Sequence, residues 1–265
     1  MTTTRPSSPK FLVEVANAPI HTHYFESTRI KIKVTNISGE NVLIQRVTLQ
    51  FDPDTGAAPN YEDSFPSLRL LSNKSDLIEV DVTPVPLYRE ETTQFKIGLM
   101  GHVESGGCLR ESFSERHEEG FYIILKVPTL QLGDIFISFK QPEDQKLANI
   151  LVRYAKRAGF NPCLFMRNPE LGKDQWKEIE KLIRQCHSVI IVWALRTEWG
   201  EGVEKEIELC RKYGCREILL IAEGVDPPKL YDPKIAYKQF DPSDPAKDLS
   251  EAIASLRAQV VKPSF

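Results

Sequence analysis

The sequence has no apolar run that approaches the ~20 residues a membrane-spanning helix needs. Its first nine residues are polar and lack the apolar centre of a signal peptide or the pattern of a transit helix, so residues 1–9 are expected to form a disordered leader. These two absences predict a cytoplasmic protein that has no membrane partner.

An excess of basic residues is also lacking. The 265 residues include 34 Lys and Arg against 37 Asp and Glu, which gives a formal net charge of −3. Neither half of the chain is strongly basic, so the sequence does not indicate a nucleic-acid-binding surface. A composition with 41% hydrophobic and 27% charged residues is ordinary for a globular protein.

Several kinds of reactive site are missing from the sequence. The cysteines number five, an odd count, and no pair has the spacing of zinc ligands, so we expect structural thiols in a reducing compartment and no metal site. The chain also lacks a glycine-rich phosphate loop and any Ser/His/Asp or Cys/His arrangement for nucleophilic catalysis.

Apolar and polar residues alternate with period two through the first half of the chain. Ile30, Ile32 and Val34 are separated by Lys31 and Lys33, and the same alternation recurs in later segments. Such runs, bounded by turn residues and without any helical window, are typical of half-buried strands. Residues 10–128 are therefore predicted to form an antiparallel β-sandwich of immunoglobulin-like type with six to eight strands.

After residue 132 the pattern changes to short apolar strands that alternate with amphipathic helices. The predicted strands are Asp134–Phe139, Phe160–Phe165, Ser188–Trp193, Glu217–Ala222 and Ile235–Phe240. Apolar strands joined by helices predict a parallel sheet covered on both faces, here of five strands in a flavodoxin-like order. Residues 132–265 thus form a second predicted domain, and Pro128 and Gly133 bracket the joint.

One acidic residue on the third predicted helix differs from its neighbours. Ligands of a doubly wound sheet bind beyond the carboxyl ends of the strands, and this helix begins close to that edge. At ~100° per residue, Glu206 lies about 60° from Val203, at the border of the apolar stripe. A carboxylate at that border is a candidate functional acid, and an ordinary solvated helix-face glutamate is the alternative.

The same half of the chain resembles the TIR (Toll/interleukin-1 receptor) domain. The resemblance is carried, in order, by Asp134–Phe139, Ala158–Phe160, a loop with Gly172, Val189–Val192 and Gly202–Ile207. The last of these is similar to the family's Trp-(Val/Cys)-x-x-Glu box, in which Glu206 occupies the glutamate position.

The resemblance implies an enzyme that cleaves NAD+ between nicotinamide and ribose, with Glu206 as the catalytic residue and NAD+ as substrate rather than cofactor. Lys140 would contact the diphosphate, and Phe139 or Trp176 could stack on a ring, although core packing is an alternative for both aromatic residues. The loop Arg167–Lys173 would gate the pocket and mediate contacts between TIR domains. The expected substrate-binding set is Phe139, Lys140, Arg167, Gly172, Trp176, Ala194 and Trp199.

The resemblance also leaves alternatives open. Ala194 stands where many family members have Ser, Gly202 replaces the Trp of the box with Trp199 three residues earlier, and Gln141 follows Lys140 where some enzymes have a second basic residue. These departures fit a non-catalytic module for TIR–TIR assembly, and a nucleotide-binding protein without turnover is a third reading. Under the enzymatic reading the protein is similar to prokaryotic immune effectors activated by oligomerisation. Its product would be ADP-ribose or a cyclised form, and the sandwich would sense a trigger.

Overall fold

The computed structural model describes residues 10–51, 60–89, 92–117, 119–165, 174–194, 201–226 and 236–261. Contacts divide the chain into two compact units, the first with Met1–Pro84 and Tyr88–Lys126 and the second with Val85–Leu87 and Val127–Phe265. Within the described ranges, no helix combines the length and apolar character needed to cross a lipid bilayer.

The first unit consists of strands. In chain order they are β1 (Phe11–Val15), β2 (Ile20–His23), β3 (Thr28–Asn36), β4 (Asn41–Phe51), β5 (Asn60–Leu70), β6 (Ser75–Val82), β7 (Thr93–Ser105), β8 (Cys108–Arg116) and β9 (Phe121–Lys126). One sheet has the order β1-β3-β6, and the other has the order β2-β9-β7-β4-β5, with β8 also paired to β7. The rings of Phe11 in the first sheet and Phe113 in the second are 5.3 Å apart between centroids.

The alternation seen in the sequence separates the two faces of each sheet. On β3, Ile30, Ile32 and Val34 are fully buried. The lysines between them point outward, where Lys31 pairs with Glu79 and Lys33 with Glu14. Since successive strand residues point to opposite faces, one sequence run supplies both the core and a charged surface.

The prediction of a purely antiparallel first unit is wrong at one strand pair. β2 pairs with β9 in parallel, from Ile20 opposite Ile123 to His23 opposite Lys126. The partner of β2 comes from about a hundred residues later in the chain, so no hairpin turn constrains the two strands to run in opposite directions. The described residues of the first unit also contain nine strands where six to eight were expected.

The second unit alternates strands and helices, as its sequence pattern predicts. Its elements are β10 (Asp134–Ser138), α1 (Gln145–Arg157), β11 (Asn161–Cys163), α2 (Asp174–Gln185), β12 (Ser188–Trp193), α3 (Glu201–Lys212), β13 (Arg216–Ala222), β14 (Ala236–Phe240) and α4 (Ala246–Val261). The sheet is parallel throughout, with the order β11-β10-β12-β13-β14. This is the flavodoxin-like order, in which the first strand of the unit lies between the second and the third.

Helices cover both faces of this sheet. Ile179 and Ile183 of α2 and Val203 and Ile207 of α3 pack in one buried cluster with Phe136 and with alternate residues of β12 and β13. Helices α1 and α4 pack against each other, and their buried residues include Leu151 and Ile253. The central strands are buried on both sides, which is why they read as continuous apolar runs.

Candidate active site

The sheet order brings the carboxyl ends of β10 and β12 next to each other. Ser138, the last residue of β10, lies opposite Ile191 of β12 in the parallel register. The strand on the other side of β10 is β11, so chain order reverses at β10. Ligands of doubly wound folds bind in the crevice outside such a reversal, and α3 follows β12 at this edge.

Glu206 is more deeply packed than the sequence predicted. Its side chain belongs to a residue that is only 4% exposed, whereas Glu208 on the same helix is exposed. Gly202, one turn earlier, and Cys210, one turn later, are both buried as well. The apolar stripe of α3 is therefore wide enough to include Glu206, which lies within the buried face and not at its border.

A serine hydroxyl contacts the Glu206 carboxylate. Ser138 Oγ donates a hydrogen bond of 2.6 Å to Glu206 Oε2, and Ser138 is itself 1% exposed. Side chains alternate along a strand, so Ser138 lies on the same face of β10 as Phe136, which is the face that α2 and α3 cover. A buried carboxylate is costly unless it accepts hydrogen bonds, and a bond from a hydroxyl to an ionised oxygen is short and strong.

The loop after β10 is held by its own hydrogen bonds and by a contact with the segment after β11. The Gln141 side-chain Nε2 donates to the carbonyl oxygen of Phe165 at 2.6 Å. The Asp144 backbone N–H donates to the Lys140 carbonyl at 2.9 Å, and the Lys140 Nζ lies 3.5 Å from a carboxylate oxygen of Glu143. Lys140 is thus placed two residues beyond Ser138, with a backbone fixed by the start of α1.

Asp144 is a second acid at this edge of the sheet. It precedes α1 and is 4% exposed. Burial raises the pKa of Asp144 to about 6, while a hydrogen bond from the Lys140 backbone N–H lowers it and the negative charge of Glu143 raises it. Asp144 therefore makes two hydrogen bonds to the backbone of Lys140. Its own N–H donates to the Lys140 carbonyl, and its carboxyl group accepts from the Lys140 N–H.

Four of the predicted substrate-binding residues fall in the described ranges, and the three other than Lys140 do not form an open aromatic or polar surface. Phe139 is 4% exposed and belongs to the core. Trp176 is half-buried, and Lys205 Nζ lies 4.2 Å from the centre of its ring, which fits a cation–π contact. Ala194 is half-buried and follows Trp193, whose indole Nε1 donates to the Asp226 carbonyl at 3.0 Å.

Among the predicted site residues, Phe139 and Lys140 directly follow Ser138 at the carboxyl end of β10. They therefore lie next to the hydrogen bond between Ser138 and Glu206. Arg167, Gly172 and Trp199 lie outside the described residues, as does the Arg167–Lys173 loop that the sequence predicts to gate the pocket. Sequence reasoning did not single out Ser138 or Asp144. For Ser138 a signal existed, because it is the one hydroxyl in an otherwise apolar run, at a position that alternation assigns to the same face as Phe136.

In the part of the chain that the structure describes, no three His, Cys, Asp or Glu side chains are grouped to hold a metal ion. Four thiols do lie in or against the cluster under α2 and α3, namely Cys163, Cys186, Cys210 and Cys215. Burial raises the pKa of each of them, so the thiolate that would act as ligand or nucleophile is disfavoured.

Comparisons with known proteins show no family. No family model matches the chain, and no curated protein matches it. Among solved structures, a β-glucosidase from Listeria innocua is 12% identical over 46% of this chain and 17% of its own, with a TM-score of 0.31.

Two smaller structures are similar to this chain at the same level. A CMP N-glycosidase from Clostridium botulinum is 17% identical over 46% of this chain and 97% of its own, with a TM-score of 0.34. The CARDB domain of a Pyrococcus furiosus protein, in complex with di-metal ions, is 14% identical over 44% and 89%, with a TM-score of 0.27. Scores this low carry no argument about function.

Proposed function

We propose that the second unit is a TIR-type domain that cleaves NAD+ between nicotinamide and ribose, with Glu206 as the catalytic residue. The proposal rests on one observation: a carboxylate held by a buried serine hydroxyl at the reversal point of a parallel sheet. The TIR resemblance of the sequence assigns the same glutamate to this role, so sequence pattern and placement in the fold support each other.

The chemistry that we propose needs one fixed anion. The C1′–N bond breaks, nicotinamide leaves as a neutral base with the bonding electron pair, and positive charge develops on the ribose C1′ and ring oxygen. The Glu206 carboxylate stabilises that charge and holds the ribose hydroxyls. Water then bonds to C1′ and gives up a proton, which yields ADP-ribose; attack by the adenine of the same molecule would yield a cyclic product instead.

The surrounding residues would have supporting roles. Ser138 fixes the Glu206 carboxylate in one orientation, because its hydroxyl is bonded to Oε2. Lys140 lies two residues further along at the same strand end, where its ammonium group could reach the diphosphate. Phe139 and Trp176, which are packed in the structure, would support the pocket wall.

The first unit, which we propose to be immunoglobulin-like, would sense a trigger or promote assembly, and TIR–TIR contacts would activate the enzyme. Such a protein would act in the cytoplasm, in an immune response that depletes or converts NAD+. The test is to incubate the full chain with NAD+ at low and high protein concentration, with and without a crowding agent. Release of nicotinamide that rises more than linearly with protein concentration supports the proposal, and no release under any condition contradicts it.

A second function, a non-catalytic assembly module, is favoured by the packing of Glu206. The carboxylate is nearly excluded from solvent and already bonded to Ser138, as a purely structural acid would be. In that case the chain self-associates, as light scattering would detect, without consuming NAD+. Replacing Glu206 by Gln would then change stability and leave nothing catalytic to lose.

A further inference from the structure

The first unit carries a concave site on the outward face of its six-stranded sheet, formed by β4, β7 and β8. The strand register places Gln50 beside Lys96 and Thr48 beside Gly98, with Arg116 on the far side of Gly98. These positions alternate with the buried core residues Ile97 and Leu99, so they face away from the core. The cavity that they line has a volume of about 280 Å³, close to the lower end of the range for ligand pockets.

Gly98 forms the floor of this cavity. A Cβ atom at this position would lie 2.3 Å from Thr48 Oγ1, so the threonine hydroxyl occupies the space where a side chain would stand. Glycine in a strand interior weakens the strand, and it often marks a place where a ligand or another backbone approaches closely. Here the Thr48 hydroxyl fits against Gly98 at the centre of three strands, and longer polar residues surround the two.

The lining of the cavity is polar and carries a net positive charge. Lys96 and Arg116 contribute two cations, while Glu115, which lies opposite Leu99 and so points its side chain to the other face of the sheet, contributes its backbone carbonyl. Thr48 and Ser114 add hydroxyl groups that can donate hydrogen bonds. Guanidinium and ammonium groups next to hydroxyl donors are the usual partners of phosphate oxygens in proteins.

We propose that this cavity binds a small organic phosphate, of about the size of a sugar phosphate or a nucleoside monophosphate, through Lys96 and Arg116 above the Gly98 floor. The site lies within the first unit, so it is separate from Glu206 and independent of the function proposed for the second unit. It gives the first unit a specific chemical class of ligand.

Titration calorimetry on the full chain at low salt would test the proposal, with ribose 5-phosphate and AMP as probes. Ribose and adenosine, the same molecules without phosphate, are the matched uncharged probes. We expect both phosphates to bind with dissociation constants in the millimolar range or below and both uncharged probes to bind at least about tenfold more weakly. Added salt should weaken the binding, because the attraction involves partly exposed charges.

Two charge variants and one glycine variant separate the contribution of charge from that of cavity shape. Lys96→Gln and Arg116→Gln should each weaken phosphate binding by about tenfold. Lys33→Gln, which removes a lysine paired with Glu14 on the other sheet, is the control and should leave the affinity unchanged. Gly98→Ala should also weaken binding; if it fails to fold, the two charge variants still decide.

Any one of three results would overturn the proposal. It fails if neither phosphate shows any binding at about 10 mM. Equal binding of phosphate and uncharged probes would mean that the charges do not recognise the ligand. Wild-type affinity in both Lys96→Gln and Arg116→Gln would place the phosphate elsewhere on the chain.

Discussion

Ser138 at the end of β10 and Glu206 in the second turn of α3 are 68 residues apart in sequence, yet they form a buried hydrogen bond of 2.6 Å between Oγ and Oε2. The bond joins the central region of the sheet to the helix that covers it. Its removal should affect both the folded state and, under the function proposed above, the orientation of the catalytic carboxylate.

Ser138→Ala tests this relationship. Loss of the hydroxyl leaves a buried carboxylate with one donor fewer, so we expect a loss of about 1–3 kcal/mol in the free energy of unfolding. In the proposed reaction kcat should fall by about tenfold or more while KM changes less, because the serine orients the acid and does not hold the substrate. Ser250→Ala is the control, since Ser250 is a similarly buried serine on α4. Unchanged turnover in a folded Ser138→Ala variant would contradict a positioning role.

Asp144→Asn should make the protein more stable at neutral pH, because burial raises the pKa of Asp144 from 3.8 to about 6. Between these two values the folded state binds more protons than the unfolded state, so stability falls as the pH rises through this window and stays lower above it. Asn carries no charge and can still accept the Lys140 N–H bond.

The expected gain for Asp144→Asn is on the order of 1–2 kcal/mol at pH ~8, reduced from the full pKa difference by screening, and near zero at pH ~4. Urea denaturation of the variant and wild type across this pH range measures the difference. Asp226→Asn, at an exposed aspartate of the same unit, should show no such rise. A difference that does not depend on pH would show that charge burial is not the cause.

The cysteines should differ sharply in their reaction with iodoacetamide. Cys108 is exposed, whereas burial raises the pKa of Cys186 and of Cys210 far above the ordinary value for a thiol. Because the thiolate is the reactive form, Cys108 should be alkylated at least about 100-fold faster than the two buried thiols in the native protein. Peptide mass spectrometry after short labelling measures this, with urea-unfolded protein as the control. Rapid alkylation of Cys210 in the native state would contradict the packing of α3.

The parallel sheet was the part of the fold that the sequence predicted best, because its strands are buried on both faces. Ser188–Trp193 was predicted as a strand and is one with the same bounds. The predicted strand Phe160–Phe165 is shorter, from Asn161 to Cys163. Gly159 has a φ of 88°, and the Phe160 N–H donates to the Ala155 carbonyl, so these two residues complete the end of α1 instead of starting β11.

The partner of Glu206 could not be derived from local pattern. Helical periodicity placed Glu206 near the apolar stripe, but the width of the buried face depends on how closely the helix approaches the sheet. The small residue Gly202 lies on that face, and Ser138 supplies a hydroxyl from a distant strand. The parallel pairing of β2 with β9 was missed for the same reason, because a contact between segments so distant in sequence has no local signature.

The central claim, that Glu206 is a catalytic carboxylate, is tested most directly by nicotinamide release from NAD+ in two matched variants. Glu206→Gln and Glu208→Gln make the same change on one helix, at a buried and at an exposed position. We predict that Glu208→Gln keeps the wild-type rate and that Glu206→Gln loses at least about 100-fold while remaining folded. Equal rates in Glu206→Gln and the wild type would contradict the account.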